Sequence, residues 1–325
     1  MRVLFLQTAH LQDDDRVNYH QRVNLERAGL SCAFAASPVE EKECPDVVIC
    51  DTPKAIWESR KAFKQRAKII YDITEWYPSK KNLRNEPRWL RPFKWCVLVL
   101  ANFYAGCAAD AFIFGEEYKA KPFRTLFPKK HALDLPYYPS LQYIHPTIPS
   151  EMKEKVRLFY AGPQTKEKGY HRVQLVAQRC QSKLPDKDIV LTEISQVPFE
   201  EFCSAITQAD FFLDLRDDDV ENTHCLPIKL FYYMAAGRPV IYSDLKAIRH
   251  GVPEIAEDSL VKPGDITRAA DMICDYVNHP DRYRQIGKRN RDLIEQKYNW
   301  EIQNTRFVQF VTHSSASPRT DEPTT

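Results

Sequence analysis

The sequence predicts an α/β protein with two doubly wound parallel sheets, one in each half of the chain. Three observations carry this. Short, almost continuously apolar runs recur along the chain, as strands buried on both faces require. Longer stretches with apolar residues at helical spacing separate them, the alternation that builds βα units. The series also starts twice, on either side of the proline-spaced segment LPYYPSLQYIHPTIPSEM (135–152), which reads as a linker. A chain of 325 residues exceeds what one core ordinarily fills.

In the first half the expected strands are RVLFLQT (2–8), SCAFAAS (31–37), DVVICDT (46–52), KIIYDIT (68–74) and DAFIFG (110–115). The first helix follows from Val17, Gln21, Leu25 and Ala28 on one face, with Gly29 as its stop. In the second half VRLFYAG (156–162), DIVLTEIS (188–195), DFFLDLR (210–216) and PVIYSD (239–244) are the strands. KGYHRVQLVAQRCQSKL, FEEFCSAITQA, LPIKLFYYMAAG and ITRAADMICDYVNH are the helices between and after them. The expected division is an N-terminal domain over 1–140, a linker over 141–155 and a C-terminal domain over 156–296. A helix over 297–312 crosses back to the first domain, and a disordered tail covers 313–325.

Composition narrows the function. Hydrophobic residues are 43% and charged ones 28%, with a net charge of +2. That is an ordinary globular balance, too weakly basic to make nucleic acid the main partner. The nine cysteines form no CxxC pair and no cluster at metal-ligand spacing, which suggests reduced thiols and a cytoplasmic setting. The chain opens on a strand-like stretch rather than a leader-like one, and no apolar run reaches the roughly 18 residues of a membrane span.

The most informative segment is LPIKLFYYMAAGRPVIYSD (226–244): a loop, a helix and a buried strand. Gly237 and Pro239 account for the end of the helix. Lys229 does not suit its start, because the helix dipole disfavours a cation there; a bound anion explains it better. The segment resembles the LPxKLFEYMAAGxPV signature of retaining GT-B glycosyltransferases of the family 4 type. DDDRVNYHQRVNLERAGL is similar to that group's DxRVxxHQxxxLxxAG, YDITEWYP (71–78) to YDxHExxP, and FYAGPQTKEKG (159–169) to its strand–turn–KG motif. ADFFLDLR precedes the signature at the expected distance, so the resemblance covers about residues 1 to 310.

The resemblance implies a GT-B fold, two Rossmann-like domains facing across a cleft. The implied activity is transfer of a sugar from a nucleotide sugar to a hydroxyl of a glycan or lipid-linked acceptor. Retention of configuration, independence of metals and cofactors, and a role in cell-surface polysaccharide synthesis follow from the same source. The donor would meet Gly162, Lys168, His224, Leu226, Pro227, Lys229 and Tyr232. Lys168 and Lys229 would neutralise the diphosphate, together with free amides of the loop at Gly162 and the following helix end. Asp72 and Glu75 would stand with the two lysines in the catalytic set, and His10, Asp15 and Arg16 would line the acceptor side.

Each residue also has a plainer reading. Lys168 can be a solvated turn residue, Asp72 a helix cap, and Tyr232 and Tyr233 packing for their helix. His224 and Tyr232 stand where the family often has two glutamates, the second on the ribose. Pro163 replaces an arginine, and Thr74 the histidine of YDxHE. These departures leave open a degenerate member that binds a sugar nucleotide or a partner enzyme without transfer. An epimerase lacks a convincing acid/base pair here, and GPQTKEKG is a poor match to a dinucleotide-binding GxGxxG. Finally, residues 84–110 interleave Arg84, Arg88, Arg91 and Lys94 with Trp89, Phe93 and Trp95. This pattern marks either a helix lying on an anionic membrane face or an ordinary helix between strands.

Overall fold

The computed structural model describes residues 1–6, 16–38, 43–145 and 154–315. The strands are β1 (Arg2–Leu6), β2 (Ser31–Ala35), β3 (Val47–Cys50), β4 (Lys68–Ile73), β5 (Ala111–Phe114) and β6 (His131–Asp134), then β7 (Lys155–Ala161), β8 (Asp188–Ile194), β9 (Phe211–Asp214), β10 (Val240–Ser243) and β11 (Leu260–Val261). In the first half the helices are α1 (Arg22–Arg27), α2 (Pro53–Phe63), α3 (Lys80–Leu83), α4 (Arg91–Ala108) and α5 (Glu117–Leu126). In the second they are α6 (Tyr170–Lys183), α7 (Phe199–Ile206), α8 (Val220–Thr223), α9 (Ile228–Ala235), α10 (Lys246–Gly251), α11 (Ala256–Ser259), α12 (Ile266–Asn278), α13 (Pro280–Gln296) and α14 (Trp300–Ser315). A π-helical turn, Arg16–Gln21, leads into α1.

Contacts group the chain into two units, Met1–Tyr137 with residues from Gln303 onward, and Tyr138–Ile302. Each is built on one parallel sheet. The first has the order β2-β1-β3-β4-β5-β6 and the second β11-β10-β9-β7-β8. Each sheet is doubly wound. Its order reverses once, between β1 and β3 in the first and between β7 and β9 in the second. Ligands of such sheets lie beyond the carboxyl ends of the strands at this reversal.

Strand alternation explains the continuous apolar runs. In the second unit Val156, Leu158, Tyr160, Phe211, Leu213 and Ile241 point into a core under α6 and α12. Their neighbours Phe159, Ala161, Phe212, Val240 and Tyr242 point into another under α7, α9 and α10. Both faces are buried, so every position is apolar. Tyr233 stacks on Phe212 with ring centroids 4.3 Å apart, and its hydroxyl accepts the Ala161 amide at 3.1 Å. Its role is packing α9 on the sheet. Gly237, with φ +72°, ends that helix in the left-handed region.

Two strands went unforeseen. β6 buries only Leu133 and β11 is two residues long. Both are edge strands without an apolar run to announce them. α14 extends through Ser315, into the segment expected as a tail; residues 316–325 lie outside the described residues. α4 is a helix between strands, yet it buries only Asn102, Ala105 and Gly106.

Candidate functional site

In the second unit several expected residues converge at the reversal of strand order. β7 ends at Ala161 and β9 at Asp214. Gly162 follows β7 with φ +143°, which only glycine adopts readily. A Cβ there would stand 2.7 Å from Lys229 Nζ. Lys229 lies in the first turn of α9. Its ammonium donates to the Ala161 carbonyl, lies 3.7 Å from Asp214 Oδ2 and 5.4 Å from the centre of the Tyr160 ring. The side chain is 26% exposed.

Asp214 is buried. Arg216, two residues on, folds back on it in a bidentate pair, Nε to Oδ1 at 2.8 Å and Nη2 to Oδ2 at 2.7 Å. Lys168 belongs to a 3-10 turn, Lys166–Lys168, that ends at Gly169. Gly169 has φ +72°, and a Cβ there would meet the Leu215 carbonyl oxygen at 1.8 Å. Glycine is therefore required twice over, by conformation and by contact with the segment after β9. Arg172 also donates to the Leu215 carbonyl at 3.1 Å, and Ser243 to that of Arg216 at 2.6 Å.

The electrostatics of this point are lopsided. Burial opposes the Asp214 charge, but Arg216, Lys229 and Lys168 outweigh it and hold the carboxyl below its ordinary value. Burial lowers the Lys229 ammonium below the usual lysine value; Asp214 works against that, while Arg216 and Lys168 add to it. Burial, then Asp214, pushes the Tyr160 phenol up. Arg216 and Lys229 thus lie against the carboxylate of Asp214, Lys168 adds its field to theirs, and an anion of about two charges would balance the three cations against Asp214.

Part of the expected cradle of loop amides is already engaged within the protein. The Gly162 amide donates to the Ile194 carbonyl at 2.9 Å, Thr165 to Pro163 at 2.8 Å, Lys168 to Thr165 at 3.2 Å and Gly169 to Lys166 at 3.0 Å. Pro163 has no N–H. The 3-10 turn also separates the loop from α6. Further donors lie at the start of α9, which has no side-chain cap; the Leu230 amide there donates to the Pro227 carbonyl at 3.1 Å, and the amides of Ile228 and Lys229 stand ahead of it in the first turn.

The other donor-side residues divide. Pro227 caps the start of α9, and the half-buried Leu226 and His224 precede it. Tyr232 is corrected. It is buried, and its ring packs edge-on against Phe199 and Phe202 at 5.7 and 5.5 Å. It faces the core between α7 and α9 and offers no open face to a base.

In the first unit, Asp72 and Arg16 meet each other. Arg16 Nη1 lies 2.5 Å from Asp72 Oδ2, both side chains are buried, and Gln21 Nε2 donates to the same oxygen at 3.2 Å. The Arg16 guanidinium also lies over Tyr137 at 4.6 Å. Asp72 sits inside β4, so the cap reading fails, and its partner is protein rather than solvent. This corrects its expected place in the catalytic set: the pair ties the π-helical turn to β4. Glu75 is half-buried in the loop after β4. His10 and Asp15 lie outside the described residues. Arg216 is the residue that sequence reasoning missed; its only signal is the D-x-R spacing at the end of β9.

Among the described residues no group of three or more His, Cys, Asp or Glu is placed to hold a metal ion. No helix among them is long and apolar enough to cross a membrane.

Residues 161–309 match the model of a family described as glycosyl transferase-like. No curated protein matches the sequence. Among solved structures the chain is similar to the sucrose-phosphate synthase of Thermosynechococcus elongatus, with 14% identity, 96% of this chain and 99% of that one covered, and a TM-score of 0.69. It is also similar to Anabaena HepE, solved in complex with UDP-glucose, with 13% identity, 96% and 100% covered, and a TM-score of 0.61. A TarM mutant of S. aureus, in a complex containing UDP, aligns at 14% identity over 83% of this chain and 55% of that one, with a TM-score of 0.59. At these identities the likeness is one of fold. The chain has the GT-B fold, and its residues 161–309 match the glycosyl transferase-like family model.

Proposed function

We propose that the protein transfers a sugar from a nucleotide-sugar donor to a hydroxyl of a glycan or lipid-linked acceptor, retaining the anomeric configuration without a metal ion. The observation that carries this reading is the Lys229 ammonium against Gly162, in a cluster of three cations around one carboxylate at the strand reversal. A leaving diphosphate needs such fixed positive charge, which is most effective where water is scarce. Lys229 and Lys168 bind the phosphates, the first turn of α9 adds amide donors, and Asp214 with Arg216 holds the Lys229 ammonium in place. The bond between the sugar's anomeric carbon and the diphosphate breaks as the acceptor oxygen bonds to the same face. The acceptor proton passes to the departing phosphate, so no protein nucleophile is required. Glu75 orients the acceptor hydroxyl. The setting is cytoplasmic, in the assembly of cell-surface polysaccharide.

HepE and TarM have been solved with UDP-glucose and UDP, so uridine diphosphate sugars are the first donors to try. A thermal-shift screen against UDP-, GDP-, ADP- and dTDP-sugars tests the binding half. A specific upward shift, absent in Lys229→Ala, is expected; no shift with any donor contradicts the reading. The replacement of the family glutamates by His224 and the buried Tyr232 favours a second reading, a binder without transfer. Donor hydrolysis or transfer by the purified protein decides between the two.

A further inference from the structure

α4 is assembled inside out. The residues it buries against the sheet and α2 are Asn102, Ala105 and Gly106, with Leu98 and Ala101 half-buried beside them. Its solvent face carries Phe93, Val97, Leu100, Phe103 and Tyr104, all exposed, Phe93 by 68% and Leu100 by 66%. Positions 93, 97, 100 and 104 advance by four, three and four residues, which places them in one stripe along the helix. With Cys107, exposed and three residues further, the stripe runs about 21 Å at 1.5 Å per residue. Trp89, 79% exposed, stands just before the helix. Packing within the unit does not account for an apolar stripe left this exposed on the outer side of a helix.

The charges around the stripe are predominantly basic. Residues 84–109 hold Arg84, Arg88, Arg91 and Lys94 against the single carboxylate Glu86, and Glu86 is already paired with Lys94. The adjoining helix adds to this. α2 and α4 both follow right-handed crossovers running the same way along β3, β4 and β5, so they share one face of the sheet and pack together. α2 exposes Trp57 and Lys61 at helical spacing, with the exposed Lys64 at its C-cap and Lys61 Nζ 5.4 Å from the Trp57 ring centre.

We propose that the α4 face of the first unit is a membrane-docking surface that lies on an anionic lipid bilayer. Phe93, Leu100 and Tyr104 enter the headgroup boundary while Arg88, Trp89 and the α2 lysines engage its charge. The surface does not depend on sugar transfer, although it places the chain where a lipid-linked acceptor is found.

The test is co-sedimentation of the full chain with vesicles of phosphatidylcholine alone and of phosphatidylcholine with 30 mol% phosphatidylglycerol, about, at low and high salt. Binding to the anionic vesicles, weakened by salt, is expected. Leu100→Glu is expected to weaken it about tenfold or more, and Arg88→Glu substantially, since each basic residue near the surface contributes about fivefold. Both positions are exposed, so an unchanged melting temperature certifies the fold. Equal binding to both vesicle types, no binding, or full binding by Leu100→Glu overturns the proposal. So does a wild-type dimer in light scattering that Leu100→Glu makes monomeric, because the stripe then covers a second copy.

Discussion

Replacing Lys229 by methionine keeps an unbranched stem beside Tyr160 and removes one charge from the cluster at the end of β7. Two consequences follow from the geometry. Asp214 keeps its bidentate pair with Arg216 at 2.7–2.8 Å and loses a partner at 3.7 Å, and the Ala161 carbonyl loses one donor, so the fold should survive with a modest drop in melting temperature. A bound diphosphate loses a charge-assisted hydrogen bond, worth about 1.5–3 kcal/mol. At about 1.4 kcal/mol per tenfold this is roughly a 10- to 150-fold weaker Kd. The upper part of the range is expected, because the side chain is only 26% exposed and little water screens it. Calorimetric titration with UDP, and with the responding UDP-sugar, measures both. UDP alone should show the same loss as the whole donor, since the lysine is assigned to the phosphates. A Kd within threefold of the wild type, with the melting temperature kept, refutes the assignment.

Affinity should also depend on pH in a stated direction. A bound diphosphate favours charged Lys229, so affinity is full below the free protein's lowered value and falls as pH rises through it, before the ordinary lysine value of about 10.4. The ratio of Lys229→Met to wild-type Kd should shrink over that range, and a ratio constant to pH 10.5, about, contradicts the electrostatic argument. Gly169→Ala places a Cβ against the Leu215 carbonyl at a positive φ and should cost at least about 2 kcal/mol in urea unfolding; a change under about 0.5 kcal/mol would show that the 3-10 turn shifts freely. Arg16→Met leaves Asp72 charged and buried, which should cost about 3–5 kcal/mol while UDP affinity stays within twofold. Turnover lost at unchanged stability would instead return the pair to the chemistry.

The sequence exposed the fold wherever burial acts on both faces of a strand. β3, β5, β9 and β10 are each fully buried and appear as plain apolar runs. β6 and β11, at sheet edges, have no such run. At the site, Gly162 and Lys229 were legible because one closes a strand within the strand–turn–KG motif and the other sits against the helix dipole. The pairing of Asp214 with Arg216 was not, since the letters D-L-R do not say that a guanidinium folds back on its own strand. Nor was the pairing of Arg16 with Asp72, which joins positions 56 residues apart. The Gly162 amide was misjudged for a similar reason: a turn after a strand looks open in sequence, but Gly162 extends the ladder to β8 by donating to Ile194.

A structure of the chain with UDP bound measures the central claim most directly. Phosphate oxygens are expected within hydrogen-bonding distance of Lys229 Nζ, about 2.7–3.2 Å, beside the ends of β7 and β9. UDP seated elsewhere, or a diphosphate beyond reach of both Lys229 and Lys168, would contradict it.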